Sequence, residues 1–151
     1  MRRRGEQCGQ RGATAVEFAV VVPIVLMILF GIIEYGRYFF VRNIMDSAAR
    51  EAARYAVVNS TAATAANVQS VANTRMQPIM NSFVGGTYAV NVFWLDPTAG
   101  NAVSYPFNNA PFGTTMGVTV SGTFKPLVPK LLNMATTIPL QSACYMLSEA
   151  N

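Results

Sequence analysis

The sequence predicts an α+β chain: a long N-terminal transmembrane and amphipathic helix followed by a small antiparallel sheet with one or two short helices. Three observations carry this. Residues 18–33 read FAVVVPIVLMILFGII, 16 residues without a charge. Tyr38, Val41, Met45, Ala48, Ala52 and Tyr55 then recur at spacings of three and four, the period of one helix face. From Tyr88 onward, β-branched and aromatic stretches alternate with Pro, Gly, Asn and Asp.

At 1.5 Å per residue the uncharged run spans about 24 Å, short of a hydrocarbon core of roughly 30 Å. Adding Ala13–Val16 extends it to about 30 Å and puts Glu17 within the first turn or so. A carboxylate there either sits at headgroup level or has a partner, because an isolated charge in lipid is costly. Pro23 lies inside the run and cannot donate to the carbonyl of Ala19, so a kink or loosened turn is expected there. Past the run, Arg42, Asp46, Arg50 and Arg54 follow at intervals of four along a polar face, with Asp46 and Arg50 spaced for an i,i+4 pair. The Ala-rich stretch from Ala48 to Arg54 has high helix propensity. One helix from about Thr14 to Val58, roughly 65 Å long, is the expectation. Its apolar stripe is expected to pack on the chain's own domain by default, the alternative being neighbouring subunits.

Residues 59–64 read as a helix end and turn, and Ala65–Asn81 as a second, weaker helix disturbed near its end by Pro78. Tyr88–Leu95 reads as a strand and residues 96–101 as turn chemistry. Residues 102–113 suggest a loop with a short edge strand; their aromatics Tyr105, Phe107 and Phe112 form either core filler or a surface. Thr115–Phe124 alternates, with Met116, Val118 and Val120 on one face. Residues 126–134 suggest a short helix or a covering loop. Pro139–Leu147 reads as the last strand, with Leu140, Ser142, Cys144 and Met146 opposite Gln141, Ala143, Tyr145 and Leu147.

Charge bears on topology more than on ligands. Four of the 11 basic residues (Arg2, Arg3, Arg4, Arg11) fall in the first 12 positions, leaving seven basic against six acidic residues beyond them. No basic stripe remains, so no nucleic-acid partner is expected. The N-terminal arginines argue for a cytoplasmic N-terminus. Cys8 and Cys144 are the two cysteines, and Cys144 in a strand reads as a small hydrophobe. The chain has no histidine, which removes histidine-based metal sites, triads and general bases. Glu17 and Glu34 bracket the apolar run, Asp46 and Glu51 alternate with arginines on the helix, and no pair of acids offers convincing acid–base chemistry. No enzyme activity, metal or cofactor is expected.

A basic leader, Gly12, and Glu17 at the fifth position after it resemble the processing site of class III signal peptides. Two blocks extend the likeness to the TadE-like pseudopilins of tight-adherence (Flp) pilus systems. The first runs from Arg11 to Val57, with its Glu17-Phe18 pair, Pro23 and Ala-rich continuation. The second, FKPLVPKLLNMATTIPLQSACYMLSE, starts at Phe124. The resemblance implies a pilin-like fold and four regions. These are a leader (1–12) removed by a prepilin peptidase, a transmembrane helix (13–35), its amphipathic continuation (36–58) and an extracytoplasmic domain (59–151). It implies that Gly12 and Ala13 flank the cut bond. Glu17 and Phe18 would serve recognition and subunit registration, Glu17 pairing with the new amine of a neighbouring subunit's Ala13.

The implied partners are the prepilin peptidase, other pilin and pseudopilin subunits, an inner-membrane assembly platform and the lipid bilayer. The implied location is the bacterial inner membrane, single-pass. The sizeable C-terminal domain, and Phe18 where major pilins of these systems usually carry Tyr, imply a minor subunit. Two other readings stand beside this one: an uncleaved membrane-anchored binding protein, and a type II secretion pseudopilin.

Overall fold

The computed structural model describes residues 7–59, 63–96, 104–106, 113–130 and 132–148, with side chains from Gly12 onward except at 104–106. Helix α1 runs Gln7–Val58 without interruption, about 78 Å at the standard rise. It starts seven residues earlier than Thr14, the start expected from the sequence. Residues 7–13 contain no proline, and the two glycines among them cost helix stability without stopping propagation. Pro23 also lies within the unbroken helix.

The C-terminal half of α1 buries the anticipated stripe. Val41, Met45, Ala48 and Ala52 are inaccessible or nearly so, and Ala49, Ala53 and Ala56 are equally buried. The buried face is wider than a heptad stripe because two surfaces meet it, the sheet on one side and α2 on the other. Alanine at these positions lets both approach closely. The expected Asp46–Arg50 pair takes another form: Arg50 Nε donates to the Asp46 backbone carbonyl at 3.2 Å. On an exposed helix face a guanidinium gains little from a carboxylate that water screens.

Helix α2 spans Ala65–Met76, with the Thr64 side chain accepting from the Asn67 N–H as its N-cap. A 3-10 helix, Gln77–Ser82, follows. The change falls where Pro78 removes a donor, as the sequence suggested. Val68, Ala72 and Met76 are the buried side chains of α2.

Four antiparallel strands follow: β1 (Phe83–Leu95), β2 (Ser104–Pro106), β3 (Thr115–Phe124) and β4 (Ile138–Leu147), in the spatial order β2-β1-β3-β4. Strand β1 begins five residues before the expected Tyr88. Pairing runs from Leu95↔Thr115 to Tyr88↔Gly122, then resumes at Phe83↔Phe124 across a bulge. Gly85 and Gly86 both have φ of +66° there, a conformation that side chains resist, and it absorbs the extra residues. Met116, Val118 and Val120 of β3 and Leu140 of β4 are buried against the helices. Cys144 and Met146 pack at the edge of the same core. Gln141, Ala143, Tyr145 and Leu147 point to the open face, the alternation expected. The edge strand anticipated in 102–113 is β2, paired to β1 through Trp94↔Tyr105. Phe107, Phe112 and most of the 59–64 and 96–101 turns lie outside the described residues.

The described residues among 125–137 form a covering loop rather than a helix. It returns from β3 to β4 across α1, with Asn133 at φ 49°, a left-handed value that asparagine tolerates.

Candidate membrane and assembly surface

From Gly12 to Ile33 no side chain of α1 is buried. The helix is long and apolar enough to cross a membrane, with a mean hydropathy of 2.8 over its most apolar 18 residues. Gly12 is open: a side chain added there would meet nothing within 4 Å. Ala13 and Glu17 are both exposed and lie one turn apart, so they share a helix face. Phe18, beside Glu17, is 70% exposed. Among the described residues Glu17 makes no ion pair. The structure thus brings Gly12, Ala13, Glu17 and Phe18 onto adjacent turns of a bare helix. Pro23 sits farther along, exposed and away from them.

At the other end of the apolar run lies a cluster that the sequence reading marked only as a bracketing acid. Glu34 is 2% exposed. Its carboxylate accepts from the Leu127 backbone N–H at 3.1 Å and from Arg37 at 3.3 Å. Arg37 also donates to the Lys125 carbonyl, and its guanidinium carbon stands 4.5 Å from the centre of the Phe124 ring. Tyr38 meets the same ring edge-on at 5.8 Å. A buried carboxylate needs partners that satisfy it, and here the covering loop supplies one through its backbone. The clasp fixes the domain to α1 at the point where the apolar run ends. Its available signal was the i,i+3 spacing of Glu34 and Arg37 just past that run. The loop half of the site is ninety residues away and depends on tertiary structure.

Farther out, Arg75 of α2 forms a two-point salt bridge to Glu51 of α1, one arm at 3.2 Å. The guanidinium holds the Glu51 carboxyl below its ordinary value. Both groups are exposed, so this is a modest tether. Cys144 is half-buried, and burial pushes its thiol up against the opposing charge of Arg50. It faces the helical layer as a small apolar filler. Among the described residues, no three His, Cys, Asp or Glu side chains gather as metal ligands.

Fold and site together define a helix-spined chain: a single helix long and apolar enough to cross a membrane, continuing as the central element of its own α+β domain. Residues 12–54 match the model of the TadE-like protein family, so this stretch of the spine is similar to that family's. The match lies within α1 and does not reach the C-terminal block. No curated protein and no solved structure matches the chain.

Proposed function

We propose that this chain is a minor pseudopilin of a tight-adherence pilus system. It inserts with its N-terminus in the cytoplasm of a bacterial inner membrane, and a prepilin peptidase cuts it between Gly12 and Ala13. The exposed apolar helix then joins other pilin subunits and the assembly platform, while the C-terminal domain stands outside. Its role is structural, without catalysis.

The observation that carries the reading is Glu17: an exposed carboxylate with no ion pair among the described residues, one turn beyond Ala13 on an unshielded apolar helix. Among the described residues nothing neutralises it. In an assembly, the amine created on a neighbour's Ala13 would do so, and such a pair favours one axial register between subunits. Pro23, six residues on, supplies a missing hydrogen bond at which the helix can bend during packing.

The test is the N-terminal mass of the protein from membranes with and without its prepilin peptidase. A peptidase-dependent start at Ala13 is expected, lost in Gly12→Leu. Glu17→Ala is expected to be cut normally yet to lose co-purification with other subunits. An intact leader under both conditions would replace this reading with an uncleaved membrane-anchored binding protein.

A further inference from the structure

We propose that residues 125–130 and 132–134 form a second membrane contact. It rests on the lipid surface on the domain's side of the bilayer, with Leu127 and Met134 turned into the apolar boundary and Lys125 and Lys130 toward the headgroups. The proposal depends on α1 spanning the membrane.

Register carries the argument first. A hydrocarbon core of roughly 30 Å takes about 20 helical residues, whereas the uncharged run from Phe18 to Ile33 has 16. Counted from Ala13 the core ends near Ile33, and counted from Phe18 it ends near Arg37. The covering loop meets α1 at this end of the core. Leu132 reaches within 3.7 Å of where a Gly31 side chain would begin, and the Leu127 N–H bonds Glu34. A loop pressed against α1 at Gly31 and Glu34 sits at the boundary between acyl chains and headgroups.

The surface of the loop suits that position. Leu127 is 67% exposed and Met134 40%. Tyr35, Phe39 and Phe40, at the same level on α1, are also exposed, in keeping with an interfacial aromatic belt. An apolar cleft of about 400 Å³ opens between loop and helix, lined by Gly31, Tyr35, Leu132 and Met134 among others.

Backbone chemistry fits as well. Near lipid, N–H groups need internal partners. Pro126 and Pro129 have none to satisfy, and the N–H groups of Leu127, Leu132 and Met134 bond Glu34, Val128 and Pro129 respectively. The nearby carboxylate, Glu34, is buried and paired, so the charge that the segment exposes comes from Lys125 and Lys130. That charge complements anionic headgroups.

The experiment uses the full chain in vesicles of phosphatidylethanolamine and phosphatidylglycerol. In a Cys8→Ser, Cys144→Ala background, single cysteines are introduced by Leu127→Cys, Met134→Cys, Ile24→Cys or Gln141→Cys and labelled with a polarity-sensitive fluorophore. Labels at 127 and 134 are expected to emit blue-shifted relative to 141, and to be quenched by lipids carrying a nitroxide near the headgroup. The label at 24 is expected to respond to a deep nitroxide. Water-like emission at both 127 and 134 with lipid quenching at 24 would overturn the loop contact and leave the anchoring intact. Water-like emission at 24 would overturn the anchoring and the loop contact with it. A blue shift at 127 that disappears as protein is diluted in lipid would assign the surface to a second copy of the chain instead.

Discussion

Phe18 and Phe124 are the same side chain in opposite surroundings, and so are the two halves of α1. Phe18 is 70% exposed on a half-helix where no described side chain is buried, whereas Phe124 is fully buried against the other half. The more apolar half is thus the more exposed one. Within a single folded unit, burial follows what can approach a surface as well as how apolar that surface is. Between residues 41 and 56 the buried side chains are mostly alanine, which lets α2 and the sheet come close. Between residues 18 and 33 the helix is ringed by Val, Ile, Leu, Met and Phe on every side, the pattern of a helix whose surroundings are themselves apolar.

The sharpest way to break that contrast is to truncate both aromatics. Phe124→Ala should cost the domain about 3–5 kcal/mol, read as a lowered denaturation midpoint in urea, because Arg37 and Tyr38 lose the ring they pack on. Phe18→Ala should leave the same midpoint unmoved. Equal losses from the two would mean that the halves of α1 are not energetically distinct.

The two glutamates that bracket the apolar run give a smaller effect of the same kind. Glu34→Ala strands the Leu127 N–H and one N–H of Arg37, whose same nitrogen keeps the Lys125 carbonyl, and should cost about 2 kcal/mol, the range for hydrogen bonds to a charged group. Glu17→Ala should cost the isolated chain nothing measurable, its loss falling on subunit association. A domain as stable with Glu34→Ala as without it would remove the clasp from the account.

Gly117 tests the open side of the sheet. A side chain there would begin 2.6 Å from the Phe93 ring and 3.1 Å from Tyr145. Gly117→Ala should therefore cost about 1–2 kcal/mol as the two rings shift apart, with altered near-ultraviolet circular dichroism as a second readout.

The smallest effect concerns pH. Arg75 holds the Glu51 carboxyl below its ordinary value, so the pair stabilises the fold above the unfolded-state pKa. That contribution is lost as pH falls through the lower folded-state value. Glu51→Gln should slightly lower the midpoint at neutral pH and converge with the parent at acid pH, flattening the acid side of a midpoint-against-pH curve. High salt should shrink the difference further.

Much of this molecule was legible because its signals are local. An uncharged run, a three-four periodicity and the alternation of β4 each state which neighbours a residue can share, so the long helix and the faces of β3 and β4 follow directly. The Gly12–Glu17 spacing is equally local, and its open setting on a bare helix needed no tertiary contact. The misjudged boundaries are places where local signals compete. Helix α1 continues back through Gly12 because glycine weakens a helix without stopping it. Strand β1 resumes beyond the Gly85–Gly86 bulge because Phe83 finds Phe124.

By itself, then, the sequence determined which segment of this chain is apolar on every side, where its helix carries a packing stripe, and which strand faces could meet it. Tertiary structure alone decided that α2 and the sheet share one alanine face, and that Glu34, read as a bracketing charge, is buried and held. It also decided that a loop ninety residues away returns to the helix at Gly31. The physical reason is that a buried charge is specified by its partners. The partners of Glu34 are the Leu127 backbone N–H and the Arg37 side chain, itself held by the Lys125 carbonyl, and no sequence pattern marks the two backbone groups.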